Sequence, residues 1–294
     1  MKSASEFWKE HLGASFEPDY SLVGKKKTLD GILGVLASAS KRFGSFVIVG
    51  DSWGDGIVLN NPQDFDVYVL GYGNQWEGEY DERLIKVNDD NVGTEFDRLK
   101  EEKGLEDVLF LFDADETLIH SEQIVSKAYE NAYRKACNYF EIEEIYSGTQ
   151  LFSILDDLNM GLSKNRETPI LMAVLGSYLG LEYNELMKDL NGKSVTDYLK
   201  EAAPRIKNDT LREVVEVANG IMTNASEKFN LWSLPYIGNY FKEFREEIAQ
   251  ETNVENLEPH LNQPLVSQFR IIFEKNPSFR AGLYTLSPYY SWLE

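Results

Sequence analysis

The sequence predicts an α/β protein, a doubly wound parallel sheet with a helical block inserted into it. Three observations predict it. Val108-Leu-Phe-Leu-Phe112, Phe46-Val-Ile-Val-Gly50 and Asp66-Val-Tyr-Val-Leu-Gly71 are unbroken apolar runs, the pattern of strands buried on both faces. Segments with apolar residues at helical spacing alternate with them. From Ser121 to about Val266 the pattern turns almost wholly helical.

In chain order, Phe7 to Leu12 reads as a helix, and Thr28 to Ser40 as a second, with Leu29, Ile32, Leu33 and Leu36 at helical spacing and Thr28 as its cap. The strand Phe46 to Gly50 follows at once and ends at Gly and Asp. After the strand Asp66 to Gly71, Leu84 to Asn88 is a short edge strand and Thr94 to Glu102 a closing helix, and Lys103-Gly104 marks a break. Val108 to Phe112 is the strongest buried-strand signal and runs into the acidic turn Asp113-Ala-Asp115-Glu-Thr117. Apolar periodicity then recurs in Ile124 to Tyr139, Pro169 to Leu179, Tyr183 to Leu190 and Leu211 to Met222. Residues 121–266 are therefore expected to form an inserted helical domain, with 1–120 and 267–294 as the α/β core. A helix from Leu265 to Glu274, a turn at Asn276-Pro277 and a last strand, Ala281 to Thr285, lead to Ser287-Pro288.

With 294 residues, 43% of them hydrophobic, the chain can bury a full core and a second, smaller unit. Its 29 Lys and Arg against 49 Asp and Glu give a formal charge of −20, which repels nucleic acid and anionic membrane at long range. A small phosphorylated metabolite is an easier partner than a polyanion. No apolar h-region opens the sequence, and the longest apolar stretch, Ile170 to Leu181, is interrupted and too short to span a bilayer, so a cytoplasmic location is expected. The single Cys137 cannot form an internal disulfide and is expected to be a small buried thiol on a helix.

Asp113 and Asp115, just past a buried strand, suit phosphoryl transfer: Asp113 can attack phosphorus while Asp115 shuttles the leaving-group proton. Crowded anions need a cation, and magnesium, which takes oxygen ligands and keeps waters, fits. Gly50-Asp51-Ser-Trp-Gly-Asp55 follows another buried strand, so acids from two strands can converge where α/β sheets assemble their sites. Taken singly, each Asp is explained as well by a helix cap or turn.

Phe112-Asp113-Ala-Asp115-Glu-Thr117-Leu118 resembles the first motif of the haloacid dehalogenase superfamily, and Val49-Gly50-Asp51-Ser52-Trp-Gly-Asp55 resembles its fourth. Gly282-Leu-Tyr-Thr285-Leu-Ser287 is similar to the second, and Lys25-Lys26-Lys27 to the third, a lysine before a helix. The family's order is first motif, cap, second, third, fourth; here the third and fourth precede the first. Joining Glu294 to Met1 restores the family order, which implies a circular permutation with Glu102 to Asp107 bridging the old ends. The competing explanation is fusion to an unrelated amino-terminal domain. The resemblance covers nearly the whole chain and implies a Rossmannoid core of the haloacid dehalogenase kind, with 121–266 in the place of the family's helical cap.

The resemblance implies a magnesium-dependent phosphatase that hydrolyses a small phosphate monoester through an aspartyl-phosphate. Asp113 is then the nucleophile and a metal ligand, and Asp115 the general acid/base with its backbone carbonyl on the metal. Asp51 is a direct ligand, and Asp55 supports the metal through water. Thr285 and Ser287 hold the transferring phosphoryl oxygens and Lys27 balances their charge, with Lys26 and Thr117 as further substrate contacts. Three consecutive lysines leave open which one faces inward. Arg166, before a helix, resembles the substrate-reading loop of some phosphosugar mutases and phosphatases with helical caps; the alternative is a solvated charge. Glu116 stands where many members have Gly, and Trp53 either walls the site or packs. His120 shows no metal-ligand spacing to His11 or His260. A phosphomutase uses the same residues behind a cap that excludes water, and a binding protein on a catalytically retired fold is the non-enzyme alternative. Asp115, which the dehalogenases of the superfamily lack, favours phosphate esters as substrates.

Overall fold

The computed structural model describes residues 3–23, 29–60, 65–73, 76, 81–157, 168–191, 193–223, 253 and 256–285. They fall into two compact units, Met1–Ser121 with Glu251–Glu294, and Glu122–Gln250. The strands are β1 (Ser15–Phe16), β2 (Leu22–Val23), β3 (Ser45–Gly50), β4 (Asp66–Tyr72), β5 (Leu84–Val87), β6 (Val108–Asp113) and β7 (Arg280–Thr285). The helices are α1 (Ala4–Leu12), α2 (Leu29–Ala39), α3 (Val92–Lys103), α4 (Ser121–Phe140), α5 (Gly148–Asp157), α6 (Thr168–Tyr178), α7 (Tyr183–Leu190), α8 (Val195–Ala202), α9 (Asp209–Thr223) and α10 (Gln263–Lys275).

The first unit is an all-parallel sheet in the order β1-β7-β6-β3-β4-β5, with β2 also on β7. The unbroken apolar runs become its centre: every residue of β3 and of β6 is buried. Period-two alternation sends their side chains to opposite faces. Leu109, Leu111, Phe46, Ile48, Val67 and Val69 pack with Ile32, Leu36 and Ala39 of α2 on one face. On the other face Phe110 and Phe112 meet α10 and α3, with ring centroids 4.7 Å apart for Phe112 and Phe269, 5.1 Å for Phe110 and Phe273 and 5.2 Å for Phe96 and Phe110. α1, closed by a Ser3–Glu6 capping box and by Gly13 at φ 72°, packs on α10. The sheet is thus wound on both sides, as its strand pattern requires.

Counted from β6 as first, β7 is second, the β1/β2 edge third, and β3, β4 and β5 fourth to sixth. The spatial order then reads 3-2-1-4-5-6, a doubly wound arrangement whose direction reverses between β6 and β3. Short edge pieces escaped the sequence pattern: β1 and β2 have two residues each, and the pairing of Phe16 with Ala281 and of Leu22 with Tyr284 defines them. The expected edge strand is there as β5, and the break at Lys103-Gly104 is the left-handed C-cap of α3, with Gly104 at φ 65°.

The second unit is helical throughout its described residues, α4 to α9. The chain returns to the first unit at Glu251, ahead of α10, whereas the sequence reading ended the helical block at Val266. Helical spacing is the same on both sides of that point, so periodicity does not mark it. The unit is built around buried tyrosines: the Tyr133 hydroxyl accepts from the backbone N–H of Ile145 at 2.9 Å and lies 2.5 Å from the Ser177 hydroxyl. A Cβ at position 176 would lie 2.3 Å from the Tyr146 hydroxyl, so Gly176 is what lets Tyr146 reach the carbonyl of Leu181. Cys137 is buried on α4, and burial pushes its thiol up to about 11. No helix among the described residues is long and apolar enough to cross a membrane.

Candidate metal centre

Register brings the two acidic turns together. Val49 pairs with Phe112, so β3 and β6 end level with each other, side by side at the reversal point. Asp113 is the last residue of β6, Asp51 follows β3, and Asp55 lies in the first turn of the short helical stretch Trp53–Asn60. Carboxylate oxygens of Asp51, Asp55 and Asp113 lie within 4.8 Å of one another. Asp113 is 5% exposed and Asp55 is fully buried, whereas Asp51 is half-buried.

Each acid is held from its own local sequence. The Asp55 N–H donates to the Ser52 carbonyl at 3.0 Å, and Asp55 Oδ2 accepts from both the backbone N–H and the hydroxyl of Ser52, each at 3.0 Å. Asp55 tucks under the end of β3, where a Cβ on residue 50 would lie 2.2 Å from its Oδ2; only glycine leaves that cradle open. Beyond β6 the chain makes a tight loop, with Ile119 N–H donating to the Ala114 carbonyl at 2.9 Å and Glu116 N–H to the Ile119 carbonyl at 2.8 Å. Glu116 is left-handed, at φ 57°, and its carboxylate accepts from the Ser121 hydroxyl at 2.8 Å. Asn262, the N-cap of α10, fastens the loop by donating from Nδ2 to the Thr117 carbonyl and to the Tyr72 hydroxyl, both at 3.0 Å.

Three carboxylates this close repel one another by roughly 3 kcal/mol per pair at an effective dielectric constant of about 20. A divalent cation turns that repulsion into attraction, and an all-oxygen donor set suits magnesium, calcium or manganese. The donor set and the glycine-lined cradle fit such an ion. Beside them lies Tyr284 of β7, 1% exposed and paired in register with Asp113. Burial first, then the charges of Asp55, Asp113 and Asp51, raise its hydroxyl well above the ordinary tyrosine value.

Of the sites expected from sequence, the structure brings Asp51, Asp55 and Asp113 together. Asp115 is half-buried in the adjoining loop and is not part of that trio. Thr117 is fully buried, and its hydroxyl has no hydrogen-bond partner among the described residues. Thr285 ends β7 with its backbone paired to Val23. Its side chain, that of Trp53, and Lys25, Lys26, Lys27, Arg166 and Ser287 lie outside what is described. His120 is exposed, and its backbone N–H donates to the carbonyl of His260 at 2.8 Å. Sequence reasoning missed Tyr284. Its signal was faint: a hydroxyl-bearing aromatic in an otherwise apolar strand, directly before the threonine of the second motif.

The chain matches no family model, no curated protein and no solved structure. Topology and the arrangement of the acids are therefore what a functional reading stands on.

Proposed function

We propose that this chain is a magnesium-dependent phosphatase of the haloacid dehalogenase type, circularly permuted, which hydrolyses a small phosphate monoester. One observation carries the reading: two acidic turns far apart in sequence meet at the reversal point of a parallel sheet, with Asp51, Asp55 and Asp113 within 4.8 Å. The rotated count 3-2-1-4-5-6 supports the permutation, because a chance fusion has no reason to place its first strands beside β6 and β7 in that order.

Asp51 and Asp113 would hold magnesium with the main-chain carbonyl of Asp115, and Asp55 would support it through water. When bound, the ion neutralises the transferring phosphoryl oxygens. The Asp113 carboxylate attacks phosphorus, the bond from phosphorus to the ester oxygen breaks, and Asp115 gives its proton to the departing alkoxide. Asp115, now a carboxylate, takes a proton from water as the water oxygen attacks phosphorus; the bond to Asp113 breaks and inorganic phosphate leaves. Thr285 and Ser287 donate to the phosphoryl oxygens, Lys27 offsets their charge, and Lys26 and Thr117 add contacts. The helical unit Glu122–Gln250 serves as the cap, with Arg166 reading the rest of the substrate. A cytoplasmic setting, which supplies both magnesium and phosphorylated metabolites, suits this chemistry.

The test is hydrolysis of an aryl phosphate by purified protein with and without magnesium. Asp113→Asn is expected to lower turnover by about a thousandfold or more, and Asp115→Asn by about a hundredfold or more. Activity that persists in Asp113→Asn contradicts the mechanism.

A further inference from the structure

Tyr284 has no role in the chemistry above, yet it lies beside the three carboxylates. Its Cα pairs with that of Asp113 across β6 and β7, and its side chain is 1% exposed. It packs on the α2 face of the sheet, among Leu109, Leu111 and Ile48. A hydroxyl in such surroundings is costly unless it is bonded, and phenylalanine would fill the same space without that cost. What the hydroxyl has for neighbours is the charge of Asp55, with that of Asp113 beside it. Asp55 is held by Ser52 from its own turn, and Tyr284 approaches it from the strand that pairs with β6.

We propose that Tyr284 is a positioning residue, whose phenol, delivered from β7 in register with Asp113, fixes the rotamer of Asp55 and with it the spacing of the three carboxylates toward a divalent ion. The inference rests on the metal-centre reading and deepens it. Tyr284 acts through Asp55 and does not itself ligate. β7 thereby has two tasks at adjacent positions in the proposed mechanism: Thr285 serves the substrate and Tyr284 sets the ion's site.

The experiment is calorimetric titration of the intact chain with Mn2+ and with Mg2+, comparing wild type, Tyr284→Phe, Asp55→Asn and the double variant. Removing an outer-shell partner of this kind costs about 10- to 100-fold in metal affinity, and that loss is expected for Tyr284→Phe. In the Asp55→Asn background the same substitution is expected to cost much less, because the group through which it acts is already altered. A role in packing alone predicts equal losses in both backgrounds. Equal losses, or wild-type affinity in Tyr284→Phe, overturn the inference while leaving the metal centre standing; a wild type that binds no divalent ion overturns the metal-centre reading itself. Should Tyr284→Phe fail to fold, the Tyr284 hydroxyl-proton resonance of isotope-labelled wild type decides: it is expected to shift on addition of Mg2+, and an unshifted resonance with metal bound overturns the proposal.

Discussion

Glu116 illustrates what one residue can and cannot reveal in sequence. Its position, between Asp115 and Thr117, is legible as a departure from the glycine common in the family it resembles; the reason glycine is common there is visible only in the backbone, at φ 57°. A side chain in the left-handed region costs on the order of 1 kcal/mol, and the Ser121 bond returns a comparable amount. Glu116→Gly is therefore expected to change stability by less than about 1 kcal/mol. Glu116→Val, β-branched and without the bond, is expected to lose about 2 kcal/mol in urea denaturation. A neutral valine would show the strain argument to be misplaced. The acids were legible for a different reason: Asp113 and Asp51 each follow directly on an unbroken apolar run, with Asp55 in the same turn as Asp51, so their charge has to be functional or capped. Tyr284 was not, because a tyrosine in a strand is ordinary until the register puts Asp113 beside it.

Elements with long, uniform patterns were read well, and those defined by partners were not. β3, β4, β6, α4, α7 and α10 all lie where their apolar residues put them, to within a few residues at the ends. α8 was missed: it opens with Val195 and Thr196, poor helix formers, and is held instead by the Ser194 cap and by burial of Tyr198, Leu199 and Ala202. The buried tyrosines of these helices carry a consequence for alkaline pH. Burial pushes Tyr133 and Tyr198 up to about 12, from an ordinary value of 10.0. Above pH 10 the unfolded chain gives up both protons while the folded helical unit keeps them, so the stability is fully present below pH 10 and drains away as pH rises toward 12. The loss is expected to reach roughly 2–3 kcal/mol for each tyrosine. Urea denaturation at pH 8 and pH 11, followed by circular dichroism, checks it, and Tyr198→Phe is expected to remove part of the difference.

At the scale of the whole molecule, the sequence predicts a doubly wound sheet, and the all-parallel order β1-β7-β6-β3-β4-β5 with helices on both faces is a Rossmann-like sheet. The proposed rotation rests on motif order, which can be compared along a chain without coordinates. The extent of the helical unit was less readable, since apolar spacing looks the same in α9 and α10 although the two belong to different units. The proposed cation centre has to be assembled from both acidic turns, whose Asp51, Asp55 and Asp113 oxygens lie within 4.8 Å of one another. Titration of wild type, Asp51→Asn and Asp113→Asn with Mg2+ tests this most directly. The account predicts a saturable site in wild type and a weakening of about tenfold or more in each variant, although the two residues lie in different halves of the motif order. Unchanged affinity in either variant, or no binding by wild type, would contradict it.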